Sequence, residues 1–347
     1  MPRTTSSDRN KGTLRDPVTG FVYHESWIRG CTDPDDLELV RTGLGLLTSS
    51  GKVLKRGFST GTTAAAACKA AILSLRNPVE CVDVTIPCGL TVAVHAEGRN
   101  GTGSARKYSG DYPSDATAGM EFLVKAVPAG EGIVLVAAEG IGRFERDTPR
   151  YAAGEPAISQ PALQSILRAI EESMGTVSIP GIELELSAPE GPIVAKRTLN
   201  PRVGVKGGIS VLGTTGLVEP WDEHLTGSVL EQVAAADRVV LTTGRLGLRY
   251  SGLLFPDHEV VLAGSHLSEA LECARGEVIL CGLPGLILRF LSPGILEGSG
   301  CGTVEELSTR PEFRVRMGDA FALAKKHYPG LRVIIVSREG EILGDSA

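Results

Sequence analysis

Two hydrophobic grammars divide this chain. From Val79, the stretches VDVTIPCG and LTVAVHAEG alternate apolar and polar positions and are broken at Cys88-Gly89, which predicts two strands joined by a hairpin-like turn. EGIVLVAAEGIGRF then predicts a strand with a glycine-rich exit, and a helix is expected from Pro161 to Met174, with proline at its start where helices tolerate it. GIELELSAPEG and GPIVAKRTLN read as two further short strands. From Val239 the pattern changes to near-continuous runs: VVL, VVLAG, EVILCG and, near the C-terminus, RVIIV. Such runs, alternating with helical stretches and Gly-bearing loops, predict a parallel, doubly wound sheet.

The expected fold class is therefore α/β with two domains. Residues 51–205 form a first, mixed α/β domain and 206–347 a second with a parallel sheet; the chain crosses between them within the Gly/Thr-rich segment Asn200 to Trp221. Residues 1–50 read as an extension, its polar first 15 residues disordered. Within it Asp33 offers a helix start, and Leu37, Val40, Leu44 and Leu47 carry a helical period.

Composition narrows the function classes. A 42% hydrophobic, 22% charged chain of 347 residues matches a soluble globular protein with a sizeable core. Aromatics at 5% and a net charge of −6 argue against a base-stacking nucleic-acid surface. No apolar run approaches the ~20 residues of a membrane span, and the polar N-terminus lacks the apolar core of a secretory signal. The seven scattered cysteines read as reduced, buried thiols of a cytoplasmic protein rather than a disulfide framework. No C-x-x-C or H-E-x-x-H appears, so no protein-held metal is expected. A homodimer is the default for such a protein.

The run Lys55 to Leu75, KRGFSTGTTAAAACKAAILSL, is the strongest local signal. A Ser/Thr/Gly loop opens directly into an alanine-rich helix. Two readings fit: an ordinary Ser/Thr cap, or an anion cradle built from first-turn N–H groups and the helix dipole. In the second half, strand ends at Thr242-Thr243-Gly244, Gly264-Ser265-His266 and Cys281-Gly282 lie where open α/β sheets bind ligands. The TTGRLG loop (Thr242 to Gly247) could let a nucleoside-like ligand approach the backbone, and a structural turn fits it equally.

Several segments taken together are specific. RGFSTGTTAAAACKAA (Arg56 to Ala71) and TLNPRVGVKGGISVLGTTGLVEP (Thr198 to Pro220), with KYSGDYP (Lys107 to Pro113) and GEPAI (Gly154 to Ile158) between them, resemble the CbiD-type cobalt-precorrin-5B C(1)-methyltransferases. The resemblance covers roughly residues 52 to 290. It implies S-adenosylmethionine-dependent methylation of cobalt-precorrin-5B at C-1, giving cobalt-precorrin-6A in anaerobic corrin biosynthesis. It also implies a left-handed βαβ element in the first domain and a Rossmann-like second domain. The cobalt arrives with the substrate, so the chemistry needs no protein metal site, and an electron-rich ring carbon is the nucleophile, so it needs no Ser or Cys.

On this resemblance, Thr60, Gly61, Thr62, Thr63, Lys107, Gly213, Thr214 and Thr215 are expected to bind the carboxylate-rich tetrapyrrole. Thr242, Gly244, Arg245 and Gly247 are expected near the methyl donor. Asp111, Asp115 and Glu219 are candidates for proton removal or for ordering the site, each equally readable as a solvated or capping carboxylate. The last third departs from the family pattern. Leu286 follows Gly282-Leu-Pro-Gly285 where a Lys is usual, and LSPGILEGSGCGTVEEL (Leu291 to Leu307) lacks the usual His. A divergent paralogue that binds or modifies another tetrapyrrole is the alternative.

Overall fold

The computed structural model describes residues 13–220, 223–264 and 266–347. The expected disorder of residues 1–12, the Trp221 end of the domain border and Ser265 lie outside the described residues.

The first sheet has six strands: β1 (Val79–Thr85), β2 (Thr91–Arg99), β3 (Thr102–Arg106), β4 (Glu121–Pro128), β5 (Gly132–Ala137) and β6 (Gly181–Ser187). Their spatial order is β1-β2-β3-β4-β6-β5. All neighbours are antiparallel except β6 and β5, which run parallel. The hairpin at Cys88-Gly89 forms as expected, with Gly89 at φ +91°. β2 alternates as its sequence does: Val92, Val94 and Ala96 are buried between exposed Thr91, Ala93, His95 and Glu97. β4 carries the same alternation in EFLVKAVP, a signal the sequence reading passed over.

One face of this sheet holds α1 (Thr60–Leu73), which lies against β2, β3 and α2 (Gln160–Val177). α1 is buried nearly all round, which fits a run of alanines rather than an amphipathic stripe. Glycines on the strands set the separation. A Cβ on Gly98 would meet the Ala70 carbonyl oxygen at 2.3 Å, and one on Gly103 the Ala67 oxygen at 2.3 Å. Helix and sheet therefore pack backbone to backbone.

The second sheet contains β7 (Arg238–Thr242), β8 (Glu259–Leu262), β9 (Glu277–Gly282), β10 (Arg332–Val336) and β11 (Ile342–Asp345). Their order is β8-β7-β9-β10-β11, parallel except for the last pair. Helices α3 (Arg245–Leu254), α4 (Pro284–Leu291) and α5 (Val304–Ser308) follow strands or loops of this half. Its core, around Val239, Leu241, Leu280 and Ile335, is separate from the first. Ile209, Val211 and Leu217 sit in the first core, and strand pairs Gly208–Ile209 with Gly140–Ile141 and Leu217–Val218 with Gly57–Phe58 tie the segment to it.

Four local expectations are corrected. GPIVAKRTLN is not a strand: Pro192 opens a short helix, Gly191–Ala195, and Asn200–Val203 is a 3-10 turn. The helix begun by Asp33 stops at Thr42 because Gly43 takes a left-handed conformation (φ +80°), so Leu47 falls on a strand. Residues 13–15 are ordered, with Arg15 bridging to Val22. Not all thiols are buried: Cys81 is exposed on the outer face of β1, an edge strand, whereas Cys31, Cys68 and Cys281 are buried. No described helix is long and apolar enough to cross a membrane.

Candidate active site

A cleft of about 1180 Å³ opens between the two cores. Loops from the first half supply Thr60, Lys107, Asp115, Asn200, Ser210 and the 212–215 turn; loops from the second supply Thr243, Gly244, Gly247, Pro284, Gly285 and Arg338. The volume exceeds the ~300–1,000 Å³ of ordinary small-molecule pockets, so the cleft suits a large ligand. Three leucines in its lining are notably solvent-facing: Leu199 (66%), Leu212 (52%) and Leu286 (54%). Exposed apolar side chains on both walls, interleaved with hydroxyls, suit a flat apolar body with polar edges.

The start of α1 is the best-defined part of the first wall. Ser59 caps it, its Oγ accepting from the Thr62 N–H at 3.2 Å. The Gly61 N–H donates to the Leu212 carbonyl at 2.8 Å, and the Thr63 N–H to the Ser59 carbonyl at 3.0 Å. These donors are therefore engaged within the protein, and the capping reading describes this helix start better than the anion cradle. Of the four residues expected here, Thr60 lines the cleft. Its hydroxyl accepts from the Leu212 N–H at 2.7 Å and so fixes the facing turn. Thr62 and Thr63 turn inward, their hydroxyls bound to Gly216 and Ser59 carbonyls. Gly61 is where α1 approaches Ala162 and the Leu212 carbonyl, leaving no room for a Cβ.

Gly213, Thr214 and Thr215 all line the cleft. The turn is held from below: a Cβ on Gly213 would lie 2.5 Å from Ser59 Oγ, and Gly216 sits at φ +85° against Ile86. Asn200, which the sequence reading did not single out, accepts from Ser210 Oγ at 2.9 Å and donates to the Gly208 carbonyl. It braces the floor between them; its place inside the TLNPR run was the available signal.

The three candidate carboxylates separate. Asp111 does not line the cleft; its Oδ2 accepts from the Lys55 N–H at 2.7 Å and pins the loop to the strand before α1. Asp115 does line it, ion-paired with Lys107 and accepting from the Thr117 N–H and hydroxyl. Burial pushes the Asp115 carboxyl upward, but the hydrogen bonds from Lys107 and Thr117 outweigh this and hold it below the usual range. Burial also draws the Lys107 ammonium below its usual range, while Asp115 works to raise it. Glu219 lines the cleft and accepts from Arg56 Nε at 2.8 Å. Arg56 is fully buried and also binds both oxygens of buried Asp16, at 2.9 and 2.6 Å. Both candidate carboxylates that line the cleft, Asp115 and Glu219, thus have a buried cation behind them.

On the second wall, Gly244 and Gly247 line the cleft and Thr242 lies beneath them. The Arg245 side chain lies outside the described residues. Thr242 is fully buried and its Oγ1 finds no hydrogen-bond partner. It points at the first turn of α3, where a Cβ on Gly247 would approach it to 2.1 Å. α3 and α4 both lack a side-chain cap, with Gly244 and Leu283 at their N-cap positions. Both helix starts border the cleft, so the anion-cradle physics applies here rather than at α1.

The CbiD family profile matches residues 47–220. Relatives from Methanoregula boonei and Methanoculleus marisnigri, each named cobalt-precorrin-5B C(1)-methyltransferase, are both 54% identical; each alignment covers 96% of this chain and 100% and 99% of theirs. The chain belongs to the CbiD family. A crystal structure of the cobalamin biosynthesis protein (cbiD) from Archaeoglobus fulgidus superposes with a TM-score of 0.74 at 36% identity, covering 93% of this chain and all of the other. The CbiD likeness thus runs through the last third, where the Leu286 and Leu291–Leu307 departures lie.

Proposed function

We propose that this chain is the S-adenosylmethionine-dependent methyltransferase that converts cobalt-precorrin-5B to cobalt-precorrin-6A by methylation at C-1. The near-full-length likeness to enzymes of that name carries the reading. The oversized cleft, with exposed leucines on both walls, supports it independently. The reading brings with it a left-handed crossover at β5–α2–β6 and a Rossmann-like character for the second sheet. The reading keeps two domains but moves the border expected at 205/206 to after Glu219, a shift supported by Ile209, Val211 and Leu217 packing in the first core. The reaction would run in the cytoplasm.

The fit of a methyl donor rests on the second wall. The side-chain-free backbone at Gly244 and the uncapped starts of α3 and α4, both bordering the cleft with Thr242 buried beneath, suit a small ligand with a carboxylate and hydroxyls. S-adenosylmethionine supplies an electrophilic methyl group there. The protein's part is chiefly placement. Leu199 and Leu212 seat one face of the macrocycle, and the 213–215 turn and Thr60 fix its edge. Asp115, held below the usual carboxylate range by Lys107 and Thr117, and Glu219, held in place by Arg56, order the site and can receive a proton at their carboxylate oxygens. The test is incubation with cobalt-precorrin-5B and methyl-labelled S-adenosylmethionine. Label in a C-1-methylated product is the expected result; donor binding without transfer would overturn the reading.

A further inference from the structure

Among described residues, the cations lining the cleft are Lys107, Arg150 and Arg338. Lys107 is 2% exposed and committed to Asp115. The other two share a single carboxylate. Glu305 Oε2 accepts from Arg150 Nη2 at 2.8 Å, and its Oε1 from Arg338 Nε at 3.1 Å. Arg150 belongs to the first half of the chain, on the loop after β5; Glu305 is on α5 and Arg338 follows β10.

We propose that Arg150 and Arg338 form a carboxylate clamp for a peripheral acid arm of the macrocycle, with Glu305 as an internal competitor for the same two guanidiniums. The proposal rests on the tetrapyrrole reading above. A guanidinium presents five N–H donors in a planar fork, and Glu305 takes one from each. Donors suited to a second carboxylate therefore remain on both. Arg150 also lies over the Tyr151 ring, 5.7 Å from its centroid. The pairs are also displaceable: Arg150, Glu305 and Arg338 side chains are 47%, 35% and 46% exposed, a setting in which ion pairs are weak and screened.

The neighbouring glutamate makes the contrast. Glu306 closes a capping box with Thr303 and pairs with Arg146 at 3.2 Å, so it is bound into the start of α5. Glu305 has no such capping duty. Its release would leave α5 capped and the Arg146–Glu306 tie between the halves in place.

The probes are a cobalt corrin bearing free peripheral carboxylates and the same corrin as its methyl esters, titrated against the full-length protein by visible absorbance. Arg150→Ala and Arg338→Ala should each weaken the free acid about ten-fold and leave the ester unchanged. Glu305→Ala should tighten the free acid several-fold, roughly by the loss of one weak competing pair. A purely structural tie between the halves predicts the opposite sign for Glu305→Ala, and that result overturns the clamp. Equal binding of acid and ester by the wild type and all variants also overturns it while leaving the cleft reading intact. Failure of the wild type to bind either corrin overturns both. Unchanged urea midpoints, expected for such exposed positions, show that the variants fold.

Discussion

Arg56 Nε donates to Glu219 Oε2 at 2.8 Å, joining a fully buried guanidinium to a carboxylate on the cleft wall 163 residues further along the chain. The same guanidinium holds Asp16, 40 residues earlier. One side chain thus links the N-terminal segment, the strand before α1 and the cleft.

Replacing Arg56 with Met should cost about 3 kcal/mol or more, because it leaves Asp16 buried without its partner. The urea midpoint measures it. The wild-type network also has a pH signature. Burial alone would raise the Asp16 carboxyl, but hydrogen bonds and charge from Arg56, with Thr19 and the Val18 N–H, hold it below its usual range. A depressed folded-state value contributes stability above the unfolded pKa of about 4 and loses it as pH falls through the folded value. Arg56→Met should flatten that acid-side loss.

Lys107→Met should shift the acid limb of the methyl-transfer pH profile upward. With its cation removed, Asp115 keeps the burial that raises its pKa and loses the largest contribution that lowers it. The ionised form then disappears at a higher pH. An acid limb that stays in place would show that Asp115 ionisation does not govern the reaction.

Gly247→Ala should weaken S-adenosylhomocysteine binding and destabilise the fold by about 1–3 kcal/mol, since the new Cβ would lie 2.1 Å from Thr242 Oγ1. Adding Thr242→Ala removes the clashing hydroxyl and should restore much of the stability. Calorimetry and thermal melts of the single and double variants give the coupling. Additive losses would show that the two positions do not meet.

Leu212→Asp should reduce corrin affinity at least about ten-fold while the melting temperature holds. The side chain is 52% exposed, so the change touches the cleft surface and not the core. A comparable change at exposed Leu323, outside the cleft lining, is the control.

Local pattern made much of the fold legible. β2 alternates in sequence as it does in burial, the parallel sheet announces itself in runs such as EVILCG, and Ser59 marks the start of α1. Signals failed where the deciding interaction is distant or backbone-borne. Nothing near Arg56 reveals that it is enclosed by residues from three separate segments. Thr60, Thr62 and Thr63 look alike in sequence, yet helix geometry sends one to the cleft and two inward. GPIVAKRTLN has strand-like residues, but Pro192 suits a helix start. Arg150 and Glu305 meet only through the packing of two separately built halves.

The glycines under α1 have a further consequence. Gly98 and Gly103 admit the helix backbone to a distance no Cβ would allow, so a side chain at either position would push α1 away from its own sheet. The wall it carries, Thr60 and the turn bonded to it at Leu212, would be displaced with it. Two glycines that touch no ligand thereby take part in setting the width of the cleft.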